Sequence, residues 1–185
     1  RINYEIQRII RGKKASQAIK LINKFKIFDY VQSEKKLIFI DLEKINIEEF
    51  NKFEKEKFLP LFFLSQILDE FSLKNLKFSK SEISKIRLLR KWNLLLKIKT
   101  IYEFSEKERF DLHQELEIIL PSFILFLPKI YHVDWLARWR DKDDKLFHPS
   151  NLIKGEVLKK YLKIKDGPIL GKVINYLSRE LAYKR

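Results

Sequence analysis

The stretch best suited to ligand chemistry is D-G-P-I-L-G at residues 166–171. A Gly-Pro pair sets a tight turn at a helix start, where free N–H groups carry partial positive charge and accept a phosphate or carboxylate. Lys163, Lys165 and Lys172 surround that turn with charge. Asp166 is expected as the N-cap, occupying one or two of those donors itself. The competing reading is a hairpin built for packing, with Gly171 letting two helices touch. Trp135 and Trp139 lie four apart on one helical face beside Arg138 and Arg140. They suit stacking on a base or sugar, although core packing accounts for the same spacing. Trp92 stands among Arg87, Arg90 and Lys91, at the edge of a basic helix face.

Other chemistry is missing. His113, His132 and His148 are too scattered to suggest a metal site. Asp141, Asp143 and Asp144 lack the spacing and closing Glu of a calcium loop. There is no GxGxxG, GxxxxGK[ST] or HExxH, nor the G-S…D-x-D strand that nucleotidyl transfer needs. The chain has no cysteine, which excludes a thiolate nucleophile, a Cys-based metal site and a disulfide framework. No catalytic residue and no metal ligand is expected in residues 1–185.

The elements that hold these residues are helical. Gly is scarce at 4 residues, strand-like alternation is rare, and Leu, Ile, Lys and Glu dominate. Helices are expected over 2–11, closed by Gly12, and over 14–24 with Ala15, Ala18, Ile19 and Ile22 inward. Phe25, Ile27 and Phe28 then turn into the core. KLIFIDL at 36–42 is the one strand-like patch. A solvated helix over 47–58, anchored by Phe50, Phe53 and Phe58, precedes a central one over 60–70 with Pro60 in its first turn. Ser79–Glu82 and Ser105–Glu108 are capping-box pairs opening helices at 80–98 and 106–119. The first of these exposes Lys85, Arg87, Arg90, Lys91 and Lys97. Short helices follow between Pro121 and Pro128 and over 129–140, then the polar loop 141–145. A hairpin of two helices, 155–162 and 168–185, ends the chain and holds three of its four glycines.

Net charge is +14, and it alternates along the chain. Residues 1–40, 72–101 and 151–185 carry +7, +8 and +6, separated by blocks of −4 and −3. Folding that gathers the positive blocks on one surface would hold a polyanion. The plainer reading is solubility and a composition bias. No apolar stretch reaches the roughly 20 residues of a membrane span, and no signal peptide is visible. The expected compartment is the cytoplasm, or an organelle if a transit peptide has been lost. Because Arg1 stands first, the chain is expected to be part of a longer protein.

Two stretches resemble the C-terminal half of the bacterial-type (class II) CCA-adding tRNA nucleotidyltransferases and their poly(A) polymerase relatives. RINYEIQRIIRGKKASQAIKLINKFKIFDYV at 1–31 is similar to that family's R-I-x-x-E-x-x-x-I stretch and the small-residue helix after it. LIKGEVLKKYLKIKDGPILGKVINYLSREL at 152–181 is similar to its glycine-rich tail signature, with Gly155, Leu158, Gly167, Pro168, Gly171 and Ile174 at the matching places. The family often has Pro where this chain has Asp166, and Leu where it has Ile174.

The resemblance implies an all-α, elongated multi-helix array. Residues 1–45 would be the neck remainder and start of the body, 46–147 the helical body, and 148–185 the tail with its glycine-turn hairpin. It implies RNA-backbone contacts from Lys163, Lys165, Gly167, Lys172 and Arg179, extended by Arg87, Arg90, Lys91 and Lys97, with Arg1 and Glu5 bracing the neck. The implied partner is tRNA, held by its acceptor and T arms while an N-terminal head outside these residues adds nucleotides with Mg2+, CTP and ATP. Two other readings compete: a helix-hairpin-helix DNA-binding module, and a helical scaffold whose charge is incidental.

Overall fold

A computed structural model describes residues 1–12, 14–30, 45, 47–149, 155–163 and 167–184, and every regular element among them is helical. The all-α expectation holds for these residues; KLIFIDL lies outside them. None of the described helices is long and apolar enough to cross a membrane. The chain divides into two compact units, each discontinuous in sequence: residues 1–98 with 119–136, and residues 99–118 with 137–185.

In the first unit, α1 (Ile2–Ile10) packs on α2 (Ala15–Lys24) and on α3 (Lys52–Ile67). Ile6, Ile10, Ala15 and Ile19 are buried as expected. Ile2 is exposed, and so are Phe25 and Ile27, which were expected inward. The chain leaves α2 through a 3-10 turn at Ile27–Tyr30, and i+3 geometry does not continue the α-helical face that carried Ile19 and Ile22.

The largest departure is at Pro60. The sequence suggests a helix break there, yet α3 runs through it. Its start is set by a capping box: Glu54 N–H donates to Asn51 Oδ1 at 2.9 Å, and Asn51 N–H donates to Glu54 Oε2 at 2.9 Å. Interior proline costs about 3 kcal/mol. Phe58 and Phe62, both fully buried, offset that, since burying one such side chain contributes about 1.5–3 kcal/mol. Ser122 Oγ also donates to the Phe58 carbonyl at 2.9 Å, fixing α7 (Leu120–Ile124) against α3. Phe53, expected as an anchor, faces solvent.

A short helix, α4 (Glu70–Asn75), leads to α5 (Lys80–Leu96), and α5 packs on α3, α4 and α7. The predicted Ser79–Glu82 capping box is present, with both reciprocal bonds formed. Ile83, Ile86, Leu89 and Trp92 form its buried stripe. Trp92, read as an edge residue, belongs to the core, and Leu94 is exposed.

In the second unit, α6 (Glu106–Leu116) opens with the predicted Ser105–Glu108 box and buries Phe110, Leu112, His113 and Leu116. Beyond it, α8 (His132–Arg140) spans both units in sequence. Its Arg138 guanidinium lies 4.4 Å from the Phe147 ring centroid, and its Nε donates to Asp144 at 2.8 Å. Asp144 also accepts from the N–H groups of Leu146 and Phe147. Burial pushes the Asp144 carboxyl up, but Arg138 and these N–H donors outweigh it and hold it below the usual range. The acidic loop is therefore folded around an arginine.

The hairpin closes the chain. Its helices α9 (Gly155–Leu162) and α10 (Pro168–Ala182) pack on each other, and α10 packs on α6. A Cβ at Gly155 would lie 3.5 Å from Ile174 Cδ1 and 3.7 Å from Leu170 Cδ2, so the helices meet there. Gly171, expected at the contact, borders open space.

Candidate nucleic-acid interface

The N-cap of α10 is Gly167, not Asp166. Pro168 takes the first helical position, where its fixed φ fits and its missing N–H costs nothing, so the cap falls on the residue before it. Gly167 has φ +157, in the region that side chains avoid. Gly167 has no side chain with which to cap the helix. Lys163 is exposed and left-handed at φ 54, just past the end of α9. Lys172 is exposed on the first turns of α10. Lys165 and Asp166 lie outside the described residues.

Where α10 lies on α6, an open groove of about 270 Å³ is lined by Lys107, Phe110, Asp111, Lys172, Asn175, Tyr176 and Arg179. Two bonds hold its walls together: Tyr183 Oη donates to the Glu106 carbonyl at 2.9 Å, and Gln114 Nε2 donates to Asn175 Oδ1 at 3.5 Å. Arg179 stands over the Tyr176 ring, 5.7 Å from its centroid. Among the described residues, Lys107, Lys172 and Arg179 are in no ion pair. Lys172 and Arg179 were legible as candidates; Lys107, Asp111 and Tyr176 were not. Their only signal would have been knowing that α6 meets a helix some 65 residues later.

The cations of α5 are placed differently. Arg90, expected on the exposed face, turns inward. Its guanidinium donates to the main-chain carbonyls of Ser65 at 2.9 Å, Leu64 at 3.4 Å and Leu68 at the end of α3, where the last carbonyls of a helix lack intrahelical partners; Leu64 also accepts from the Leu68 N–H. Arg87 makes a two-point bond to Glu70, at 2.7 and 3.1 Å. The Arg87 and Lys74 donors hold the Glu70 carboxyl down at about 2. Lys91 lies over Trp92, 4.9 Å from the ring centroid. Lys97 is exposed and in no ion pair among the described residues.

The remaining candidates are engaged locally. Trp135 packs against Phe123. Trp139 Nε1 donates to the Glu117 carbonyl at 2.8 Å, with Lys142 over its ring. His132 Nε2 meets the Leu127 carbonyl, and His148 bridges Glu117 and the Trp139 carbonyl. His113 is stacked 4.1 Å from Phe147. Burial, with the Arg138 charge, pushes its imidazole down to about 3. Among the described residues no group of three or more His, Asp or Glu side chains is arranged to hold a metal ion.

Arg1 and Glu5 are exposed on α1. Arg1 borders a second open cavity of about 590 Å³ with Tyr4, Gln7, Asn75 and Lys77, where Asn3 Nδ2 donates to the Leu76 carbonyl at 2.8 Å.

Comparison with known protein families, with curated proteins and with solved structures finds no match to this chain.

Proposed function

We propose that this chain holds a structured RNA by its phosphate backbone, and that it is the body-and-tail part of a tRNA nucleotidyltransferase or poly(A) polymerase. The observation that carries the grip is the groove between α6 and α10, where Lys107, Lys172 and Arg179 line one opening and form no ion pair among the described residues, Asp111 included. Unpaired cations give their charge to a ligand, whereas paired ones must first release a partner. Lys163, at the turn above α10, adds to the same unit.

The tRNA assignment rests on the resemblance of residues 1–31 and 152–181, with Gly155 and Gly167 at its matching places and each occupied for a physical reason. In this reading the nucleotides are added by a head outside residues 1–185. The side chains described here offer no set suited to a catalytic divalent ion, so no step of transfer is assigned to them.

The test is affinity for intact tRNA, titrated across salt, against a DNA duplex of equal charge. Binding that prefers tRNA and falls steeply with salt is expected. Equal or tighter binding to the duplex would favour a glycine-hairpin DNA module, and no binding to either would leave the charge without a polyanion partner.

A further inference from the structure

The groove holds one residue that a pure phosphate grip does not explain. Asp111 places a half-buried carboxylate among Lys107, Lys172 and Arg179, yet it forms no hydrogen bond or ion pair among the described residues. Lys107 is one turn away on α6, at the i, i+4 spacing that favours pairing, and the pair is not made. A carboxylate repels a phosphate, so a site evolved only for phosphates gains nothing from it. It accepts hydrogen bonds strongly from hydroxyl and amino groups.

The neighbours suit the rest of a nucleotide. Tyr176 keeps 54 % of its surface exposed while Arg179 stands over its ring, which leaves aromatic surface for a sugar or base. Asn175 uses its carbonyl oxygen on Gln114, leaving its NH2 group to donate. Cations, an aromatic face, an amide donor and a carboxylate acceptor thus line one opening of about 270 Å³, close to the size at which ligand pockets begin.

We infer that the α6–α10 groove is a one-nucleotide subsite that selects ribose. Lys107, Lys172 and Arg179 take the phosphate, the Tyr176 ring takes the face of the sugar or base, and Asp111 accepts the ribose 2′-hydroxyl. That hydroxyl is the group by which a protein tells RNA from DNA at one position. A carboxylate reading a ribose hydroxyl is established chemistry in nucleotide sites. This inference rests on the RNA-holding reading and adds to it a specific discriminator.

The experiment compares single-stranded RNA and DNA oligonucleotides of one sequence and length, on the full chain and on Asp111→Ala and Asp111→Asn. Asp111 has no partner to lose, so the fold should be unaffected, which circular dichroism checks. The unaltered chain should prefer RNA, and Asp111→Ala should cut the RNA-to-DNA affinity ratio by about tenfold, the loss of one hydrogen bond to a charged group. Asp111→Asn, which keeps an acceptor oxygen, should retain part of the preference. If both variants instead tighten RNA and DNA by the same factor, Asp111 only repels phosphate; the subsite is then wrong while the grip stands. If neither polymer binds the unaltered chain, both readings fail.

Discussion

The basic face of α5 carries more lysine and arginine than that of α10, and the two helices put their charge to different uses. On α5, Arg90 is bonded to three carbonyls at the end of α3, Arg87 is held by Glu70, and Lys91 lies on Trp92. On α10, Lys172 and Arg179 face a groove and meet no carboxylate among the described residues. The difference comes from what lies opposite. The start of α4 supplies Glu70 and the end of α3 supplies main-chain carbonyls, so the two arginines of α5 are engaged from within. Opposite Lys172 and Arg179, the groove between α6 and α10 offers Phe110 and one carboxylate, Asp111, which pairs with neither. Charge density along a sequence therefore counts cations, while the fold decides which of them remain for a ligand.

That contrast can be broken at several points. Arg90→Ala should act on stability alone. It leaves buried carbonyls without their donor, a cost of about 2–4 kcal/mol, and thermal unfolding should shift down by about 5–10 °C. RNA affinity measured well below that transition should not change; a large affinity loss would mean that Arg90 also reaches the ligand. Tyr176→Ala should show the opposite pattern. Stacking on one nucleotide contributes about 1–3 kcal/mol, so single-stranded RNA binding should weaken about tenfold with the melting temperature little moved.

Acid should unfold the protein partly through α6. The buried His113 is neutral in the fold, with its pKa pushed from 6.5 down to about 3. Unfolded, it takes up a proton below about 6.5, so its contribution is complete above that pH and is lost as the pH falls toward 3. Glu70 and Glu108, both lowered to about 2 from 4.5, add to the loss only below their unfolded value. Denaturant midpoints of His113→Leu should therefore be flatter than those of the unaltered chain between pH 6.5 and 4.5. Parallel curves would place the titration elsewhere. The smallest effect is expected for Arg87→Ala. Its pair with Glu70 is exposed and screened by solvent, so both stability and RNA affinity should stay near their starting values.

Much of the helical order was readable from local chemistry. The Ser79–Glu82 and Ser105–Glu108 boxes open α5 and α6 where the sequence places them. Asn51–Glu54 and Thr100–Glu103 follow the same spacing and open α3 and the 3-10 turn at Ile101–Glu103. Pro60 reads locally as the first turn of a new helix, and only the burial of Phe58 and Phe62, which tertiary contacts supply, carries α3 through it. The same limit explains Arg90. Periodicity puts it on the exposed face of α5, and only the carbonyls at the end of α3 draw it inward. Of the candidate site, Lys172 and Arg179 were legible from charge beside the glycine turn. Lys107, Asp111 and Tyr176 join them through packing between distant helices, which no window of sequence displays.

The most direct test of this account removes charge from one face at a time and follows tRNA affinity across salt. Replacing Lys107, Lys172 and Arg179 with Ala should weaken binding on the order of a hundredfold and make the log–log salt slope shallower by roughly two to three units. Replacing Arg87, Lys91 and Lys97 with Ala should change the affinity by a much smaller factor. Equal losses from the two faces, or a greater loss from α5, would contradict the claim that the fold leaves the α6–α10 groove to hold the RNA.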